Sequence, residues 1–85
     1  MYKIEYNRIA QRQLRRVHSD KVKLIAKKLE MVAKNPYAKI NNVTKLQGRD
    51  GYRLRVGDYR ISYTINDDIL VIEVIEVMPR GGAYK

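Results

Sequence analysis

Three arginines and three tyrosines share one short run, YRLRVGDYRISY over residues 52–63. Guanidinium groups present rigid donor forks that match phosphate oxygens, and they hold negative charge as it develops on a reacting phosphate. Other site chemistries find little support. There is no cysteine and a single histidine, His18, so thiolate and paired-imidazole metal sites are absent. No glycine-rich loop opens a helix to cradle phosphate, and no serine or cysteine stands in a recognisable motif with a histidine. Glu73 and Glu76 are three positions apart in a strand-like run, so strict alternation predicts opposite faces and no acid pair. What remains is a set of guanidiniums, phenols and hydroxyls suited to binding phosphate and stabilising its transition-state charge.

The element that must position these groups is a hairpin. Alternation sends Tyr52, Leu54, Val56, Tyr59, Ile61 and Tyr63 to one face and Arg53, Arg55, Arg60, Ser62 and Thr64 to the other. Gly57-Asp58 reads as a two-residue turn with glycine at the position that needs positive φ. That turn predicts Val56 opposite Tyr59, Leu54 opposite Ile61, Arg53 opposite Ser62, and Arg55 opposite Arg60. Opposed like charges are unfavourable, by a fraction of the roughly 0.2–1 kcal/mol of a matched cross-strand pair. Two readings fit equally: a solvated face whose long side chains splay apart, or a site where a bound polyanion relieves the repulsion.

The rest of the chain supplies a scaffold. YKIEY over residues 2–6 alternates as a short strand. Asn7 is a good N-cap for a short basic helix over RIAQRQLRRV with Ile9, Ala10, Leu14 and Val17 on one stripe. Ser19 or Asp20 caps a second helix, whose Val22, Ile25, Ala26, Leu29, Val32 and Ala33 follow one buried face. Asn35-Pro36 ends it. Residues 37–44 are undetermined. Asn66-Asp67-Asp68 turns the chain into a last strand, Ile69 to Met78, whose nearly continuous apolar run fits a strand covered on both faces. The expected fold is α+β: two N-terminal helices packed on one face of a small, mainly antiparallel sheet of four or five strands, with the arginine face left open.

Eighty-five residues allow one domain, residues 1–85, with a small core. The 18 Lys+Arg against 9 Asp+Glu give a net charge of +9, the electrostatic footprint of a phosphate- or carboxylate-rich partner. Residues 1–34 carry net +7, so the helical half holds most of that excess. No apolar run approaches the roughly 18 residues of a membrane span, and the N-terminus lacks a signal-peptide core, so a cytoplasmic protein without membrane partners is expected.

The segment KLQGRDGYRLRVGDYRISY, then an apolar strand and the tail VMPRGGAY, resembles the RelE/ParE superfamily of bacterial toxins, most closely its RelE branch. The likeness spans nearly the whole chain, since the short strand, the two basic helices and the Asn-Pro break also fit. It implies the toxin of a type II toxin–antitoxin system: a ribosome-dependent, metal-independent endoribonuclease that needs no cofactor and is neutralised by a cognate antitoxin. It further implies cleavage of messenger RNA by attack of a ribose 2′-hydroxyl on the adjacent phosphate.

By the same resemblance Arg53 and Arg55 match two basic residues of the first hairpin arm, and Arg60 matches the arginine on the scissile phosphate. Arg80 matches a tail arginine near the leaving group, Tyr84 a tail tyrosine that positions a base, and Lys45 and Arg49 contacts to RNA. Two departures stand out: Pro79 replaces a histidine that several relatives have before the tail arginine, and residues 38–47 contain no acid where others have a glutamate. The general base is therefore unassigned. Two alternative functions are a ParE-like inhibitor of DNA gyrase and a non-catalytic basic nucleic-acid-binding module.

Overall fold

The structure, a computed structural model, describes residues 1–79. Strand β1 spans Lys3–Tyr6, helix α1 Arg8–Leu14, helix α2 Ser19–Lys34, β2 Val43–Lys45, β3 Tyr52–Val56, β4 Tyr59–Asn66 and β5 Val71–Pro79. The five strands form one sheet in the order β1-β5-β4-β3-β2. Every pairing is antiparallel except β1 with β5, which is parallel and joins the start of the chain to its last described strand. This is the expected α+β architecture, with residues 37–44 contributing the end of a loop and the start of the short edge strand β2.

The helices form where the sequence places them, with shifted ends. Asn7 caps α1 as expected, its side-chain oxygen accepting from the Ala10 amide at 2.8 Å. The helix stops at Leu14 rather than Val17, because Arg16 and Val17 donate three residues back, to Gln13 and Leu14, in a tighter turn that redirects the chain into α2. The N-cap of α2 is His18, whose Nδ1 accepts from the Asp20 amide, and not Ser19 or Asp20. Ile25, Leu29, Val32 and Ala33 are its fully buried stripe.

That stripe and Ala10 pack against Leu54, Val56, Ile61, Tyr63, Ile72, Val74 and Val77, the core face of the sheet. The hairpin register is the expected one, down to Arg55 opposite Arg60. Gly57 has φ +55 while Asp58 does not enter positive φ, the sign pattern of a type II′ turn. β5 departs from expectation. Ile69 and Leu70 lie in the preceding turn and are exposed, and Leu70 takes φ +55. The strand is not covered throughout on both faces, since Glu73 lies in solvent.

A bulge accounts for a further difference. Ser62 pairs with Glu76 but Tyr63 pairs with Val74, which leaves Ile75 without a partner. One extra residue resets the alternation, so Glu73 and Glu76 both face the open side, opposite Thr64 and Ser62. The expectation that they point to opposite faces is overturned.

Candidate nucleic-acid interface

The open side of the sheet carries rows of side chains in line across the strands. Thr44, Arg53, Ser62 and Glu76 form one row through β2, β3, β4 and β5, and Arg55, Arg60 and Met78 form the next. Arg53, Arg55 and Arg60, with Asn42 and Thr44, line a shallow depression of about 470 Å³. Arg53 and Arg55 are exposed and Arg60 is half-buried. The loop before β2 reaches this depression through Asn42, which adopts φ 71 and accepts a hydrogen bond from the Arg55 amide through its carbonyl at 2.9 Å. A second hollow of about 400 Å³ shares Asn42 and Arg55 and adds Lys28 and Lys39, extending the positive tract toward α2.

The floor under the arginines is rigid. Tyr63 is fully buried, its ring stacked on Tyr52 with centroids 5.8 Å apart. Burial, helped by Tyr52, pushes its hydroxyl up to about 12, so it stays a neutral phenol at physiological pH. Gly51 presses against the same strand at φ +121, where a Cβ would lie 2.7 Å from the Tyr63 carbonyl oxygen. Only glycine suits that approach.

The structure separates the other expected contacts. Lys45 ends β2 at the sheet edge and is exposed. Arg49 lies beside β5, where its Nη2 donates to Glu76 Oε1 at 3.2 Å, an ion pair with side chains 51% and 36% exposed. The sequence reading missed Glu76 as part of this face because the bulge at Ile75 has no signature in a plain apolar run. Arg80 and Tyr84 lie outside the described residues. Among the described residues, no group of three or more His, Cys, Asp or Glu is placed to hold a metal ion, and no helix is long and apolar enough to cross a membrane.

A second polar constellation joins the start of the chain, the α2–β2 loop and the β4–β5 turn. Asp67 accepts from the Tyr2 hydroxyl on Oδ1 and from the Tyr37 hydroxyl on Oδ2, both at 2.6 Å. These two hydrogen bonds, Tyr2 first, hold the Asp67 carboxyl below its ordinary range. The bond to Asp67 in turn pushes Tyr37 up to about 12.

Comparison with known proteins agrees with this geometry. Residues 4–84 match the family model described as the ParE toxin of type II toxin–antitoxin system, parDE. A protein of Methanocaldococcus jannaschii assigned as toxin RelE1 is 27% identical over 86 residues, covering 99% of this chain and 96% of that protein. The isolated E. coli RelE toxin superposes with a TM-score of 0.82 at 26% identity, over 99% of this chain and 89% of that one. The archaeal RelE–RelB complex of Pyrococcus horikoshii OT3 gives 0.79 at 26% identity, over 96% and 98%. A five-stranded mixed sheet with two helices packed against it is thus shared with these proteins, and the chain belongs to the ParE-toxin family of type II toxin–antitoxin systems, as a RelE-like member of the RelE/ParE superfamily.

Proposed function

We propose that the chain, acting as one toxin domain in the cytoplasm, is a ribosome-dependent endoribonuclease that cuts messenger RNA. The observation that carries this reading is the depression in which Arg53, Arg55 and Arg60 meet on an uncovered sheet face. In the proposed reaction the ribose 2′ oxygen attacks the adjacent phosphorus and the 5′ oxygen departs, giving a 2′,3′-cyclic phosphate and a 5′-hydroxyl. Arg60 and Arg80 hold the phosphate, Arg53 and Arg55 orient the backbone and nucleophile, Lys45 steers RNA at the edge, and Tyr84 positions a base. Guanidinium groups stay protonated to above about pH 12, so they act through charge, and the proton passes to a group outside the arginine set. Loss of one preorganised donor of this kind typically costs roughly 100- to 1000-fold in rate.

A cognate antitoxin is the proposed protein partner. Solved relatives were crystallised as RelE–RelB complexes, and the exposed lysines of α2 offer an acidic partner a complementary surface.

Adding the purified protein to translating ribosomes tests the reading. Discrete cuts in messenger RNA are expected, and an Arg60→Ala, Arg80→Ala double variant should lose them. Undiminished cutting by that variant overturns the assignment. The family description favours one second reading, a ParE-like gyrase inhibitor. It predicts a DNA-damage response on expression with messenger RNA left intact.

A further inference from the structure

The loop between α2 and β2 has its two ends in different places. Asn42 closes the arginine depression, while Tyr37, near the other end, stands over a separate cleft of about 200 Å³. That cleft is lined by Tyr37, Lys39, Ile40, Thr44, Lys45 and Tyr52 among others, and Thr44 is common to both hollows. Val43, Lys45 and Tyr52 put the cleft round the β2 edge from the arginine face, so a nucleic acid leaving the arginines reaches it by turning over the short edge strand at Thr44. Its volume falls below the roughly 300–1,000 Å³ of drug-sized pockets and suits one planar base.

Tyr37 is the unusual residue here. It is 59% exposed, yet its hydroxyl is held at 2.6 Å by Asp67, which also anchors Tyr2. The pinned hydroxyl fixes the direction of the ring, so an aromatic face stands in solvent with little freedom to turn away. Two exposed lysines, Lys39 and Lys45, flank it. An oriented ring beside cations is how proteins hold single-stranded RNA, by stacking on a base and neutralising the neighbouring phosphate.

We infer that the Tyr37 cleft is a nucleotide subsite, in which the base of a single-stranded RNA stacks on Tyr37 while Lys39 and Lys45 meet its backbone. The inference deepens the RNA reading of the arginine face and rests on it. The site is remote from the reacting phosphate, so it contributes to binding and register along the RNA rather than to the chemical step.

The test is affinity for a short single-stranded RNA carrying one 5-iodouridine, with the photo-crosslinked residue mapped by mass spectrometry. Tyr37→Ala should weaken binding by roughly 5- to 100-fold, the range for loss of one stacked base, and a crosslink should map to Tyr37 in the unsubstituted chain. Tyr37→Phe keeps the ring and removes only its anchor, and Asp67→Ala keeps the ring while freeing the Tyr2 hydroxyl as well, so neither should weaken binding by more than about threefold. Loss of binding in those two equal to that in Tyr37→Ala would mean a purely structural role and overturns the subsite. Unchanged affinity in Tyr37→Ala alongside weakened binding in Arg55→Ala also overturns it, while leaving the arginine face as the RNA site. No binding of this RNA by the unsubstituted chain overturns the subsite, while the cutting assay on translating ribosomes decides the arginine face separately.

Discussion

Arg55 and Arg60 stand directly opposite each other across the β3–β4 hairpin, two cations at one rung of the ladder. The register is enforced from elsewhere: by the turn at Gly57 and by Leu54, Val56 and Ile61 in the core. Under the proposed RNA reading, function and stability pull in different directions at this rung. Arg55→Gln should raise stability by roughly 0.2–1 kcal/mol, a few degrees in thermal midpoint for a domain of this size. The same change should weaken RNA binding and lower its salt slope by about one. Melting curves at low salt and binding titrations across salt concentrations check both halves.

Glu76 places a carboxylate in the same row as Arg53 and Ser62, and Arg49 neutralises it at 3.2 Å. Because the pair is substantially exposed, Glu76→Gln should change stability by less than about 1 kcal/mol. It should tighten RNA binding by up to about fivefold, equivalent to roughly 1 kcal/mol, as one repulsion goes and Arg49 is released. Adding Arg49→Ala should cancel that gain in the same titration.

Gln13 stands in for a missing strand. β1 ends opposite Val74, and beyond it the Val77 amide donates instead to Gln13 Oε1 at 2.5 Å, while Gln13 Nε2 contacts Met78 Sδ at 3.3 Å. Gln13→Leu leaves a buried amide without an acceptor and should cost roughly 1–3 kcal/mol in chemical denaturation. Gln13→Glu, which keeps an acceptor, should cost less. Hydrogen exchange at Val77 should quicken in the leucine variant.

The Tyr2–Asp67–Tyr37 cluster sets a pH dependence at both ends of the scale. The Asp67 carboxyl lies below its ordinary value of 3.8, so its contribution is present above about pH 3.8 and fades as the pH falls through the lower folded-state value. Tyr37 moves the other way, from 10.0 to about 12, so its contribution is full below pH 10 and fades between pH 10 and 12. Asp67→Ala should flatten both limbs in melts taken across pH, and absorbance titration should find Tyr37 ionising nearer pH 10.

Local rules carried the hairpin because everything that fixes it is local: a glycine turn and strict alternation between Tyr52 and Tyr63. They carried α2 for the same reason, through the spacing of Ile25, Leu29 and Val32. The parity of Glu76 was illegible, since the bulge at Ile75 arises where β5 must match β4 on one side while β1 ends on the other. The His18 cap was missed because a ring nitrogen acts there in place of the usual hydroxyl or carboxylate. The Tyr37 cleft depends on a contact between residues 37 and 67, thirty positions apart, which no periodicity encodes.

The parallel pairing of Lys3–Tyr6 with Val71–Val74 has a consequence for how the protein is made. The interior strand β5 is made after the other four strands, and it lies between the first strand and β4. Until it arrives, Ile61 and Tyr63 lack their partners, Val77 and Val74, and the hairpin has no completed layer beneath it. Non-local closure of this kind comes late in folding. Before β5 is made, a growing chain therefore carries Arg53, Arg55 and Arg60 without the completed platform that aims them.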